Sequence, residues 1–228
     1  MGTFGGPQIV SDGLIMHIDS ANPHSYPGSG TAINDLSGNS INGTLKNGPV
    51  FNSGNAGHIA FDGTNDYIIL PVASVLSVNY HTISSWNYST EFNQYGFMFE
   101  KTSNGLVNTQ YSLFLNASNQ LYYRTYGLSN VSTTLSISAN YTNSMWTNTV
   151  ATYDGSNKKI YINGVLKLTT AATGTVTQAT TGTSIIGAYG SGTGYLFNGK
   201  IAQTSVYSRA LTAAEVLQNY NATKTRFI

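Results

Sequence analysis

The sequence predicts an all-β fold: two antiparallel sheets stacked as a sandwich, with one short C-terminal helix. Three observations carry that expectation. Short apolar or alternating runs recur along nearly the whole chain, bounded by Gly, Asn and Ser, which is the pattern of antiparallel strands joined by turns. Helical spacing of apolar residues is nearly absent before the C-terminus, so helices do not supply the core. The runs are also too many for one open sheet and require two, packed face to face.

Taken in order, the strand-like runs are Leu14 to Asp19, His58 to Phe61, Tyr67 to Leu70, Thr82 to Ser89, Gly96 to Lys101, Tyr111 to Asn116 and Leu121 to Tyr126. Thr133 to Ile137, Trp146 to Tyr153, Lys159 to Ile162, Val165 to Thr170, Ser184 to Ala188 and Gly199 to Tyr207 complete the set. Residues 20–57, dense in Gly, Asn, Ser and Pro, read as a long structured loop. In the fourth run Thr82, Ser84, Trp86 and Tyr88 alternate with Ile83, Ser85 and Asn87. Large rings therefore share one face, and Trp86 is expected to point into the sandwich. Asn163-Gly164 lies between two apolar runs, and both residues tolerate positive φ, so it predicts a tight hairpin. Thr212 and Glu215 form a capping box that starts a helix over 212–222, with Val216, Leu217 and Tyr220 facing the sandwich. Residues 223–228, with Lys224, Arg226 and Ile228, read as a tail, and residues 1–8 as an N-terminal arm of one domain spanning 1–228.

Composition narrows the function. With no Cys in 228 residues, disulfides, thiolate metal sites and cysteine nucleophiles are excluded. Only 8% of residues are charged, against roughly 25% in ordinary soluble domains, so solubility rests on hydroxyls and amides. The net charge of +1 and the lack of a Lys/Arg cluster remove the electrostatic footprint that nucleic acid or an anionic membrane requires. Met1 to Pro7 lacks a basic start with an apolar run and is not expected to be a secretory signal, and no apolar stretch is long enough to cross a bilayer.

The motifs together resemble one family. Phe61-Asp62-Gly63 followed by Asp66-Tyr67, Thr82-Ile83-Ser84 before Trp86, and Trp146 before Val150 to Gly155 occur in order with Tyr161-Ile162-Asn163-Gly164. Ile186-Gly187, Phe197 to Ile201 and Val206 to Glu215 follow. The chain resembles the laminin-G-like jelly rolls of the concanavalin-A-like lectin/glucanase superfamily over nearly its whole length. That resemblance implies two antiparallel sheets, a core built on the two Trp residues, and rim loops that in relatives bind sugars or calcium. Where many relatives carry an acidic residue after Gly-Lys-Ile, this chain has Ala202 and Gln203. The opening stretch, Leu14 to Asp19 with Tyr26 to Gly30 and Asp35 to Asn39, is similar to standalone proteins of tailed bacteriophages. It implies a non-enzymatic virion surface protein, a head decoration or a tail or fibre component. Capsid or tail proteins are then the expected partners and a homo-oligomer, a trimer, the expected assembly. The alternatives are an adhesin for a host-surface glycan and, third, a polysaccharide-cleaving depolymerase.

Glycoside hydrolysis needs two opposed carboxyl groups, yet Glu91, Glu100 and Glu215 have no carboxylate two positions away. No catalytic residue is assigned. His17, His24, His58 and His81 lack metal spacing and read as surface or partly buried residues. Asp62, Asn65 and Asp66 offer oxygen ligands for calcium, with Asx turns as the competing reading. Sugar recognition uses exposed rings with planar polar partners. Tyr122, Arg124 and Tyr126 share one strand face, and Tyr189 and Tyr195 sit in Gly-rich loops. These five are the candidate sugar residues.

Overall fold

A computed structural model describes residues 8–54, 57–90, 95–102, 109–118, 120–129, 134–178, 182–190, 192 and 194–228. Residues 1–7 of the expected arm, Glu91 and Thr133 lie outside the described residues. The first strands are β1 (Leu14–Asp19), β2 (Ala32–Ile33), β3 (Gly43–Lys46), β4 (Val50–Asn52), β5 (His58–Asp62) and β6 (Tyr67–Leu70). Next come β7 (His81–Ser89), β8 (Gly96–Thr102), β9 (Thr109–Leu115), β10 (Gln120–Tyr126), β11 (Leu128–Ser129) and β12 (Thr134–Asn140). Then follow β13 (Thr147–Tyr153), β14 (Asn157–Ile162), β15 (Val165–Ala171), β16 (Thr173–Gly174), β17 (Ser184–Ile186) and β18 (Asn198–Tyr207), with helix α1 (Ala213–Thr223) last. The stretch 20–57, expected as loop, thus contributes β2, β3 and β4; strands of two to four residues are too short to show a period.

The architecture is an all-β sandwich of two antiparallel sheets with a short C-terminal helix. The first sheet runs β15-β14-β13-β7-β18-β5-β4, with β1 paired to β18, and the second runs β12-β10-β9-β8-β17-β6-β3-β2. Ile83, Ala151, Ile160 and Val206 of the first sheet and Phe99, Leu113, Leu121 and Tyr123 of the second belong to one buried cluster between them. The hairpin at Asn163-Gly164 forms as expected: both residues have positive φ, 52° and 76°. The capping box at Thr212 and Glu215 forms too, and it starts α1.

The interior holds a polar cluster that composition did not announce. His81 is fully buried, its Nε2 2.6 Å from the Tyr123 hydroxyl and its Nδ1 3.1 Å from the Asn79 carbonyl. One neutral tautomer satisfies both contacts: Nδ1–H donates to Asn79 and Nε2 accepts from Tyr123. Burial pushes the ring's pKa down to about 3, the Asn79 carbonyl opposes that, and Lys158 adds to it. Three of the four histidines, His17, His58 and His81, are buried rather than at the surface, because strand parity turns them toward covered faces.

Trp86 does not enter the sandwich. Its neighbours Ile83 and, across the strand pair, Ala151 face the inter-sheet core, so parity sends Trp86 to the opposite face. There it is 2% exposed, stacked on Phe227 at 4.1 Å and on Tyr220 at 5.8 Å, and its indole N–H donates to Thr223 Oγ1 at 2.8 Å. Trp146 is half-buried on the same side, 5.0 Å from Phe227. The expected core built on two Trp residues is therefore not the inter-sheet core; it is a second layer under the C-terminal segment. Val216 packs there with Val150, Tyr161 and Tyr207, while Leu217, expected to face the sandwich, stays 45% exposed.

Candidate functional site

The two outer faces differ in what covers them. The first sheet is closed over by α1 and the residues after it. Asp19 forms a bidentate pair with Arg226, at 2.8 and 2.9 Å, and accepts from Gln203 at 2.7 Å. Burial alone would raise the Asp19 pKa; the Arg226 and Gln203 contacts outweigh it and hold it below the ordinary value. Gln203 thus serves this ion pair. The cavity left beneath the helix, lined by His17, Trp86, Asn148 and Asn219 among others, measures about 20 Å³, room for about one water and no ligand.

The outer face of the second sheet is partly exposed along β10, while Ser112 and Phe114 on the same face of β9 are fully buried. Side chains at alternate positions of β10 point outward, and Tyr122 and Arg124 are half-buried there. Antiparallel register places Tyr122 opposite Phe114 on one side and Ser138 on the other, while Phe114 lies opposite Phe97. Phe114 and Phe97 stack at 4.4 Å with an interplanar angle of 7°. Tyr122 stacks on Phe114 at 5.4 Å, and the Arg124 guanidinium lies 4.7 Å from the centre of the same ring.

The loop between β17 and β18 completes the surface. Tyr189 packs 5.0 Å from Phe97, Tyr195 lies 5.5 Å from Tyr189, and Tyr95 lies 5.0 Å from Tyr195 and 6.0 Å from Phe114. Two contacts fix that loop. The Gly190 N–H donates to Glu100 Oε2 at 2.5 Å, and Gly192, at φ +87°, sits so close to Tyr67 that a Cβ would fall 2.5 Å from its ring. Tyr195 and Tyr95 keep 48% and 38% of their surface exposed.

Four of the five candidate sugar residues, Tyr122, Arg124, Tyr189 and Tyr195, therefore meet in one aromatic surface. Tyr126 shares the β10 face, but among the described residues no ring contact ties it to the others. Phe114, Phe97 and Tyr95, which form the floor and flank, were missed. Phe114 and Phe97 lie on predicted strands, but knowing that they sit under Tyr122 needs the register between strands.

Asp62, Asn65 and Asp66 form a closed turn between β5 and β6. Asp62 Oδ1 accepts from the backbone of Thr64 at 2.8 Å and Asn65 at 3.3 Å, and Asp66 Oδ2 accepts from the Asp62 backbone at 3.1 Å. The Thr64 N–H, foremost, lowers the Asp62 pKa; burial raises that of Asp66. The Asn65 carbonyl accepts from Asn47 Nδ2 at 2.7 Å. Calcium takes six to eight oxygens, whereas these carboxylates are committed to backbone N–H groups. Among the described residues no third His, Asp or Glu joins them. The donor set does not fit the ion.

Comparison with known proteins bears on the whole arrangement. Residues 62–217 match the family model Laminin_G_3, described as the concanavalin A-like lectin/glucanases superfamily. No curated protein matches the chain. Among solved structures, the botulinum neurotoxin serotype G binding domain superposes with a TM-score of 0.70 at 16% identity, over 91% of this chain and 50% of that one. The binding domain of botulinum neurotoxin DC in complex with SialylT gives 0.73 at 14% identity, over 94% and 52%. Domain 4 of AbnA, a GH43 extracellular arabinanase from Geobacillus stearothermophilus, in complex with arabinotriose, gives 0.68 at 19%, over 91% and 98%. The chain spans about half the length of the toxin domains and nearly all of the arabinanase domain. At these identities the likeness is one of fold.

Proposed function

This chain belongs to the concanavalin A-like lectin/glucanases superfamily, and we propose that it is a carbohydrate-binding module that works without catalysis. The observation that carries the reading is the open stack on the second sheet: Tyr122 and Arg124 on Phe114, flanked by exposed Tyr95 and Tyr195. Pyranose C–H faces pack on such rings, and a planar guanidinium satisfies ring hydroxyls. A GH43 arabinanase domain of the same fold and nearly the same length, solved with arabinotriose, supports the reading.

Binding rather than cleavage is supported by the employment of the carboxylates among the described residues. Asp35, Asp62, Asp66 and Asp154 accept backbone N–H groups in turns. Glu100 holds the loop at Gly190, Glu215 caps α1, and Asp12 and Asp19 pair with arginines. Hydrolysis would need two of them freed and opposed across a sugar. Calcium has no part in this reading.

A glycan array with purified protein tests it, followed by titration of any hit with the Tyr122→Ala and Tyr195→Ala variants. We expect affinity in the micromolar to millimolar range, lost in Tyr122→Ala; no binding at millimolar sugar sinks the proposal. The sequence likeness of Leu14 to Asp19 and Asp35 to Asn39 to tailed-bacteriophage proteins supplies a setting, the surface of a virion, with the module assembled as a homo-oligomer on capsid or tail. Mass spectrometry of purified virions would count its copies: hundreds indicate decoration, a few dozen a tail or fibre, and none removes the setting.

A further inference from the structure

Among the described residues, Arg124 is the arginine that has no carboxylate partner. Arg209 pairs with Glu215 at 2.6 Å and with Asp12 at 2.8 Å, and Arg226 pairs with Asp19 at 2.8 Å. Arg124, by contrast, makes no hydrogen bond or ion pair among the described residues; its guanidinium lies over the Phe114 ring, and the nearby charge that acts on it is a like one, buried Lys158. Its Nε is buried with no hydrogen-bond partner, as is the Ser112 hydroxyl opposite it on β9. In a chain with three arginines and 8% charged residues, a guanidinium half-buried on an aromatic floor with an unpaired donor is costly. The rest of the side chain is partly exposed, and there an acceptor from outside the chain can meet the guanidinium.

The surroundings say what that acceptor is. Glu100 lies in the same cross-strand row, two strands away, with Ser112 between, about 10 Å at ordinary strand spacing. Its carboxylate is drawn to the loop at Gly190. On the other side, Ser138 stands opposite Tyr122 and also lines a groove of about 450 Å³ with Ala139, Asn140, Lys167 and Leu168. Lys167 is exposed there. The surface thus offers one planar, fork-shaped cation beside stacked rings, with Lys167 exposed at the groove that Ser138 shares. A guanidinium fork matches a planar carboxylate in a bidentate way; polysulfates and nucleic acids require clusters of cations that this face lacks.

We propose that the sugar bound on this face carries a carboxylate, as uronic and sialic acids do, which Arg124 takes while the ring stacks on Tyr122. This inference rests on the carbohydrate-binding reading and adds the charge of the ligand to it. The test uses the full chain on an array of matched glycan pairs: sialylated against asialo, and uronate against its carboxyl-reduced counterpart, with sulfated glycans as a third arm. The acidic member of a pair is expected to bind about 10- to 100-fold more tightly, the worth of one charge-assisted bidentate contact. Arg124→Gln brings the two members to parity while weak binding of the neutral one survives, Arg124→Lys falls between, and Tyr122→Ala loses both. Should the variants fail to fold, salt gives the same answer on the unaltered protein: raising it from 50 to 500 mM weakens the acidic member alone. Equal binding of both members, indifference to Arg124→Gln, or binding confined to sulfated glycans overturns the carboxylate assignment and leaves the sugar reading standing. No binding to any glycan removes both.

Discussion

The two outer faces of the sandwich carry similar chemistry and meet different fates. Under α1, Trp86, Tyr220 and Phe227 stack on one another and are sealed by the chain's own C-terminus, which Arg226 pins to Asp19. On the other side Tyr122, Phe114 and Phe97 stack just as closely, yet Tyr95 and Tyr195 remain open and Arg124 has no ion-pair partner among the described residues. Aromatic content therefore does not mark a binding face. The distinguishing signs are whether the polar tips are satisfied from within and whether a segment of the chain lies on top. In the first face the indole N–H has Thr223 and the guanidinium has Asp19; in the second no described carboxylate meets the guanidinium.

Trp86→Ala is the largest break in the contrast. It removes the centre of the sealed face and should cost about 3–5 kcal/mol in urea unfolding, with glycan binding unchanged at temperatures where the protein stays folded. Acid probes the layer both faces share. The unfolded chain protonates His81 near pH 6.5, while the folded chain resists until about pH 3. Stability is therefore complete above pH 6.5 and falls with decreasing pH at about 1.4 kcal/mol per unit through that window. His81→Gln should flatten the slope.

Arg226→Met unpins the C-terminus. Arg226 keeps 28% of its side-chain surface exposed and Asp19 13%, so the loss is discounted for solvent to about 1–3 kcal/mol. The Asp19 contribution is present above pH of about 4 and lost as pH falls through its lowered folded value; the variant should lose that part of the acid dependence. Tyr122→Ala should cost about 1–3 kcal/mol, since its half-buried ring covers the fully buried Phe114, and should reduce sugar affinity at least tenfold. EDTA should change neither stability nor binding, because the Asp62 to Asp66 turn is closed by its own backbone bonds.

Much of this was legible in the sequence because it is local. The Asn163-Gly164 hairpin and the Thr212 capping box involve residues within a few positions of each other, and both form as the residue types require. Strand parity likewise put Tyr122 and Arg124 on one face before any coordinates. Parity fails at Trp86 for a definite reason. Alternation says that two faces of a strand differ, and it identifies the inner one only when the other meets water. In β7 both faces are covered, one by the opposing sheet and the other by a segment that follows more than 120 residues later.

Sequence alone thus determined the class of the fold, its turns and caps, and which side chains share a strand face, since each follows from backbone conformational preference over a few residues. Only the tertiary structure decided which face is core, that Phe114 lies under both Tyr122 and Arg124, and that no described carboxylate pairs with Arg124. Those depend on strand register and on where the C-terminal segment lies, and both are set by contacts between residues far apart in the chain.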